Sequence, residues 1–251
     1  VSGATVWVGL RGYSNAASTG TTKAVKLRRD SDNTTSDFFI LNNGSLDVAS
    51  VALFAGAAIL FVDTLYDQTG NGNHLLQATL AKQPNLVLGG LGTLPCMTFN
   101  GTQWMQNTTA ALLDGFSASA VTEREIAGRG AQNIIFSFDI SAIMGFQASN
   151  DTIFIGNEEV FGTGADGVWH AIQSVNTAPG GADMTLNIDG VVTHGPHGFG
   201  TNITGFSVGI YVDFFSGPLN GKLAELGTWQ TEFSSSDQNS IRANQAAYWG
   251  I

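Results

Sequence analysis

The chain has 251 residues, 43% of them hydrophobic and only 12% charged, with 32 glycines and a formal net charge of −10. That apolar content suffices for a sizeable core, and the acidic balance argues against nucleic acid or an anionic membrane as partner. One cysteine, Cys96, excludes an internal disulfide framework.

In chain order, the first feature is basic: Lys23, Lys26, Arg28 and Arg29, followed at once by Asp30 and Asp32. Local ion pairing accounts for such a cluster without an anion site. "SLDVASVALFAG" predicts a helix with Ser45 as N-cap, Asp47 in its first turn, Leu46, Ala49 and Leu53 on one stripe, and Gly56 near the stop. The run "SVALFAGAAILFV" is too short and interrupted for a membrane span, and no stretch reads as a hydrophobic leader. "LYDQTGNGNHLLQ" then gathers Asp67, Gln68, Asn71, Asn73 and His74 around two glycines. This is turn chemistry, since glycine supplies positive φ and short amides bond nearby backbone. Asp67 and Asn73 are expected to close loop amides and tie the N-terminal segment to a sheet edge. Cys96, in "LPCMTF", reads as a small buried filler.

Strand patterns dominate the second half. "IIFSFDI" places Ile134, Phe136, Phe138 and Ile140 on one face, opposite Ser137 and Asp139. "MTLNIDG" alternates Met184, Leu186 and Ile188 inward before an Asp189-Gly190 turn. "FSVGIYVD" puts Phe206, Val208, Ile210 and Val212 on the core side, with Ser207, Gly209, Tyr211 and Asp213 on the other. One buried face per strand predicts an antiparallel sheet with a free side. "SSSDQNSIRANQAAYWG" predicts a closing helix with a serine cap, Asp237 in the first turn, Ile241 and Tyr248 on a face, and Gly250 as C-cap. No repeat or linker divides residues 1–251, which read as one all-β domain with two short helices, residues 1–80 decorating its edge.

Several segments carry a resemblance. "KAVKLRRDSDNTTSDF", "GSLDVASVALFAG" and "LYDQTGNGNHLLQA" occur in that order, which resembles the catalytic domain of the fungal α-L-arabinofuranosidase B family. Similar segments head many phage and prophage tail-type proteins. "CMTFNGTQWM", "DGVWHAIQSV", "MTLNIDG" and the tail "GKLAELGTWQTEFSSSDQNSIRANQAAYWGI" resemble strands of a concanavalin A-like (laminin-G-like) jelly roll. Together they cover most of the chain outside about 108–150. The resemblance implies a concanavalin A-like antiparallel β-sandwich.

It also implies a site that can be checked residue by residue. Arabinofuranosidases of this kind are retaining, with two carboxylates about 5 Å apart. "GIYVD" matches their acid/base position and offers Asp213. Their nucleophilic Glu falls on a strand following a Trp, and the matching segment, Trp169 to Asn176, holds no carboxylate. Their vicinal cysteine pair is absent as well. Glu158 and Glu159 precede that strand in "IGNEEVFGTG" and read as a solvated acidic turn. His194 and His197, in "HGPHG", read as a turn rather than a metal site.

The expectation is therefore a noncatalytic jelly-roll module of a phage or prophage virion, contacting cell-surface glycan, other virion subunits or copies of itself. The candidate ligand residues are Tyr211, Asp213 and His170 on the open face, and Trp104; Asp213 is catalytic only if the chain is a hydrolase. The alternatives are a retaining arabinofuranosidase and a secreted cellular lectin. Six Asn-x-Ser/Thr sites, at Asn33, Asn43, Asn100, Asn107, Asn150 and Asn202, bear only weakly on secretion. No cofactor is called for, although jelly-roll lectins hold Ca²⁺ through Asp/Asn loops, which leaves calcium open at 67–73.

Overall fold

A computed structural model describes residues 2–112, 115–126, 132–137, 143–148, 151–155, 160–177, 183–196, 203–210 and 217–251. Its strands are β1 (Ala4–Gly9), β2 (Thr22–Arg29), β3 (Thr35–Ile40), β4 (Leu60–Leu65), β5 (Leu75–Leu76), β6 (Asn85–Leu91), β7 (Leu94–Asn100), β8 (Met105–Leu112) and β9 (Phe116–Arg124). They continue as β10 (Asn133–Ser137), β11 (Ile143–Phe146), β12 (Thr152–Ile155), β13 (Val160–Thr163), β14 (His170–Asn176), β15 (Asp183–Ile188), β16 (Val191–Pro196), β17 (Ile203–Val208) and β18 (Asn220–Trp229). Helix α1 (Val48–Ala55) follows β3, and α2 (Ser235–Trp249) closes the chain. Neither helix is long and apolar enough to cross a membrane.

Every named pairing is antiparallel, and the pairings make two layers of an all-β sandwich. One layer runs β16-β15-β14-β9-β18, with β1 and β7 sharing the far side of β18. The other runs β13-β12-β11-β10-β17-β8-β5-β4-β2-β3. Strand β6 pairs with both β4 and β7 and so joins the layers. The residues before 80 supply β1 to β5. The main core lies between the layers and takes Val8, Leu27, Met105, Phe136, Ile172 and Leu223 from strands of both.

The hairpin at "MTLNIDG" is as expected. Met184, Leu186 and Ile188 are buried, and Asp189 and Gly190 turn the chain with φ of 53° and 97°. Helix α2 begins at Ser234 with a reciprocal capping box to Asp237 and ends at Gly250 in the left-handed region. The N-cap of α1, by contrast, is Asp47, which accepts from Ser50 N–H; Ser45 lies outside the helix. Its buried residue is Val51, while Leu53 is 86% exposed.

Two strand expectations are also corrected. On β10, Ile134, Ile135, Phe136 and Ser137 are all buried, so neither face is free; Phe138, Asp139 and Ile140 lie outside the described residues. Strand β17 stops at Val208, because Gly209 takes a φ of +83° where any Cβ would lie 2.9 Å from the Phe99 ring.

The free side foreseen for the sheet is covered by α2, which makes a buried polar layer with β9, β14 and β18. Gln245 donates to Ser119 Oγ and Glu225 Oε1, both at 2.9 Å, and accepts from Gln173 at 2.9 Å. Arg11 pairs with Glu225 through both Nε and Nη2, and Trp249 Nε1–H donates to the same carboxylate at 2.8 Å. Beside this layer Trp7, Trp229 and Phe233 stack edge-on. The close approach needs Gly227, where a Cβ would stand 2.5 Å from the Trp7 ring.

Candidate functional site

The loop after β4 is built around one buried carboxylate. Asp67 Oδ1 accepts the backbone N–H of Trp7 and of Thr69, and Oδ2 accepts that of Asn73, each at 3.1 Å. The side-chain amides of Asn71 and Asn73 both donate to Thr5 O at 3.0 Å, and Gln68 donates to Gly9 O and Arg11 O. The polar residues of this loop therefore latch β1 onto the sandwich, as the turn chemistry implies.

The far end of the loop has a second consequence. His74 Nδ1 accepts the Asp67 N–H at 3.0 Å, so the neutral ring carries its proton on Nε2. Among the described residues that N–H has no acceptor. His74 forms one wall of a cleft of about 410 Å³, which continues over Leu76 and Thr79 to Trp104 and Gln106 at the start of β8. Trp104 is half-buried, and its main chain is fixed at both ends: N–H to Lys82 O at 3.1 Å, and C=O from Gln77 Nε2 at 2.8 Å. Among the described residues no Asp, Glu, Lys or Arg lines the cleft. It offers an indole surface, a glutamine amide, an imidazole N–H and threonine hydroxyls, a set suited to a neutral, hydroxyl-rich ligand. Asn107, in one of the Asn-x-Thr sites, is buried here and donates to His74 O at 2.8 Å.

Of the four residues expected to bind ligand, Trp104 stands in this cleft. His170 does not lie on an open face: it is 5% exposed, with Nδ1 2.7 Å from Asp189 Oδ2 and Nε2 3.0 Å from Ala165 O. The face that alternation assigned to solvent is covered by the 164–167 loop. Tyr211 and Asp213 lie outside the described residues, as do Glu158, Glu159 and His197. His74 and Gln106 were not singled out as ligand contacts, and only the register that brings β5 beside β8 brings them together.

Other candidate chemistry resolves into structure. Glu123 and Glu125 share the Lys222 ammonium, at 2.7 and 3.0 Å. Arg29 pairs with Asp32, Lys23 with Asp37 and Lys26 with Asp63, so three of the four basic residues are matched by acids, while Arg28 donates to Gln83 and Asn33. Burial pushes the Cys96 thiol up to about 12. His194 Nδ1 sits 3.1 Å from Thr185 Oγ1. Among the described residues no three His, Cys, Asp or Glu side chains gather as a metal site.

No protein-family model and no curated protein matches the chain. Solved structures do. An arabinofuranosidase complexed with arabinofuranosyl-α-1,2-xylobiose superposes with a TM-score of 0.75 over 97% of this chain at 14% identity. Domain 4 of AbnA, a GH43 extracellular arabinanase from Geobacillus stearothermophilus in complex with arabinotriose, matches 70% of this chain and 91% of its own length at 15% identity and a TM-score of 0.51. The receptor-binding domain of botulinum neurotoxin type G matches 72% of this chain and 48% of its own at 11% identity and a TM-score of 0.51. The chain spans 62% of the length of the arabinofuranosidase. What it has in common with these proteins is the β-sandwich fold.

Proposed function

We propose that this chain is a carbohydrate-binding β-sandwich module that takes a neutral glycan in the cleft between Trp104 and His74. The observation that carries the reading is the uncharged lining among the described residues: an indole face beside a glutamine amide and a histidine whose neutral tautomer is fixed by the backbone. Such a wall stacks on a sugar ring and directs hydroxyls, while offering nothing to an ion. Titration calorimetry with arabinotriose and a panel of neutral oligosaccharides tests it. Binding by the wild type that weakens at least tenfold in Trp104→Ala supports the site, and equal affinity in the variant removes it. The finer reading, drawn from the order of the N-terminal segments, places the module on a phage or prophage particle. Peptide mass spectrometry of purified particles checks that, and absence from them discards it.

A second reading is a retaining arabinofuranosidase, favoured by the fold shared over 97% of this chain. It would require Asp213 as acid/base, with Glu158 or Glu159 as nucleophile. Release of nitrophenol from 4-nitrophenyl α-L-arabinofuranoside, abolished by Asp213→Asn, supports this reading. No release by the wild type, or release unchanged in Asp213→Asn, rules it out.

A further inference from the structure

A second cavity, of about 460 Å³, lies between α2 and the segment leading into β14, walled by Trp169, Val168, Asp189, Arg242, Ala246 and Ile251. Arg242 differs from the other described arginines. Arg11 is held by Glu225, Arg29 by Asp32, Arg124 by Asp166, and Arg28 by Gln83 and Asn33. Arg242 has neither a hydrogen bond nor an ion pair among the described residues, and its Nε is buried without an acceptor. A buried donor without a partner is costly, and a bound acceptor removes the cost.

Its position is built rather than incidental. A Cβ on Gly190 would lie 3.1 Å from Arg242 Cζ and 3.3 Å from Nε and Nη1, so the guanidinium packs face-on against that glycine. Gly190 has a φ of +97°, which keeps side chains out of the position. Asp189, the acid on the same wall, is already committed: Oδ1 accepts Ala171 N–H at 2.9 Å, and Oδ2 faces His170 Nδ1 at 2.7 Å. The indole of Trp169 supplies an aromatic surface in the same cavity.

We propose that this cavity binds a sugar acid, its carboxylate held by the planar fork of Arg242 and its ring against Trp169. It is separate from the Trp104 cleft, whose described lining carries no charge. The acid adds the one group that the neutral cleft cannot recognise.

D-glucuronate is the probe, with D-glucose and sodium sulfate as controls, titrated by calorimetry into the full chain. With the neutral cleft disabled by Trp104→Ala, the chain is expected to bind glucuronate and not glucose, with affinity falling as salt rises. Arg242→Gln should weaken binding at least tenfold, and Arg242→Lys, which keeps the charge and loses the fork, severalfold. Trp104→Ala should leave it unchanged. Thermal melts report whether each variant folds; if Arg242→Gln does not, the lysine variant and Trp169→Ala decide. No glucuronate binding, equal binding of glucose by Trp104→Ala, or affinity unchanged in the Arg242 variants overturns the assignment. Sulfate binding as tight as glucuronate overturns recognition of a sugar acid.

Discussion

Replacing Asp67 by alanine removes one carboxylate that three backbone amides share, at 3.1 Å each, together with the Thr69 hydroxyl. Each buried donor left unsatisfied costs about 1–3 kcal/mol. Water reaches the Thr69 and Asn73 amides more readily than that of Trp7, whose residue is 4% exposed. The net loss is therefore about 3–5 kcal/mol, and at about 2–4 °C per kcal/mol for a chain of this size Tm falls by about 6–20 °C. Asp67→Asn keeps one acceptor and should lose less. His74 is held by the main-chain N–H of residue 67 and not by its carboxylate. Affinity of the Trp104 cleft, measured well below Tm, should then stay within about threefold, or about 0.6 kcal/mol. Differential scanning calorimetry and titration on the same sample give both numbers. An unchanged Tm with lost affinity would refute the reasoning, because it would make the loop a ligand contact rather than a latch.

Three further outcomes follow from buried groups. Glu225→Leu strands Arg11, Gln245 and Trp249 Nε1 without their acceptor and should cost about 3–5 kcal/mol in urea unfolding; pairing it with Arg11→Met should recover part of that loss. For His170, burial pulls the pKa down, but the hydrogen bond to Asp189, the Ala165 carbonyl and the charges of Asp189 and Glu123 outweigh it and raise the value above about 6.5. Its contribution to stability is thus complete below the unfolded pKa of about 6.5 and is lost as pH rises through the higher folded value; Asp189→Asn should flatten that limb of a Tm-against-pH curve, and an unaltered curve would count against the pairing. Cys96 should stay unlabelled by Ellman's reagent at pH 8 in the native protein and react on unfolding, since its buried thiol is pushed up to about 12; stoichiometric native labelling would contradict its burial.

The sequence made some parts of this molecule legible because the physics there is local. The capping box at Ser234 and Asp237, the Asp189-Gly190 turn and the contacts of Asp67 with the Thr69 and Asn73 amides are each settled within a few residues. The rest depended on what covers a strand. Alternation at Ser117, Ser119, Gln173 and Glu225 reads as a wet face, yet these side chains are buried beneath α2 and bonded to it or to its neighbours. His170 was misplaced for the same reason, its polar side lying under a loop. Of the candidate site, Trp104 could be picked out as an aromatic near a turn. His74 and Gln106 could not, because they meet only through the pairing of Leu76 with Gln106 on strands thirty residues apart in sequence.

The most direct test of the account is the affinity of the wild type and of Trp104→Ala for arabinotriose and other neutral oligosaccharides, by calorimetry, with a melt of each sample. The account predicts saturable binding of at least one such glycan by the wild type and at least a tenfold loss, about 1.4 kcal/mol, in a variant that still melts cooperatively. Binding that survives Trp104→Ala intact, or a wild type that binds none of the panel, contradicts it.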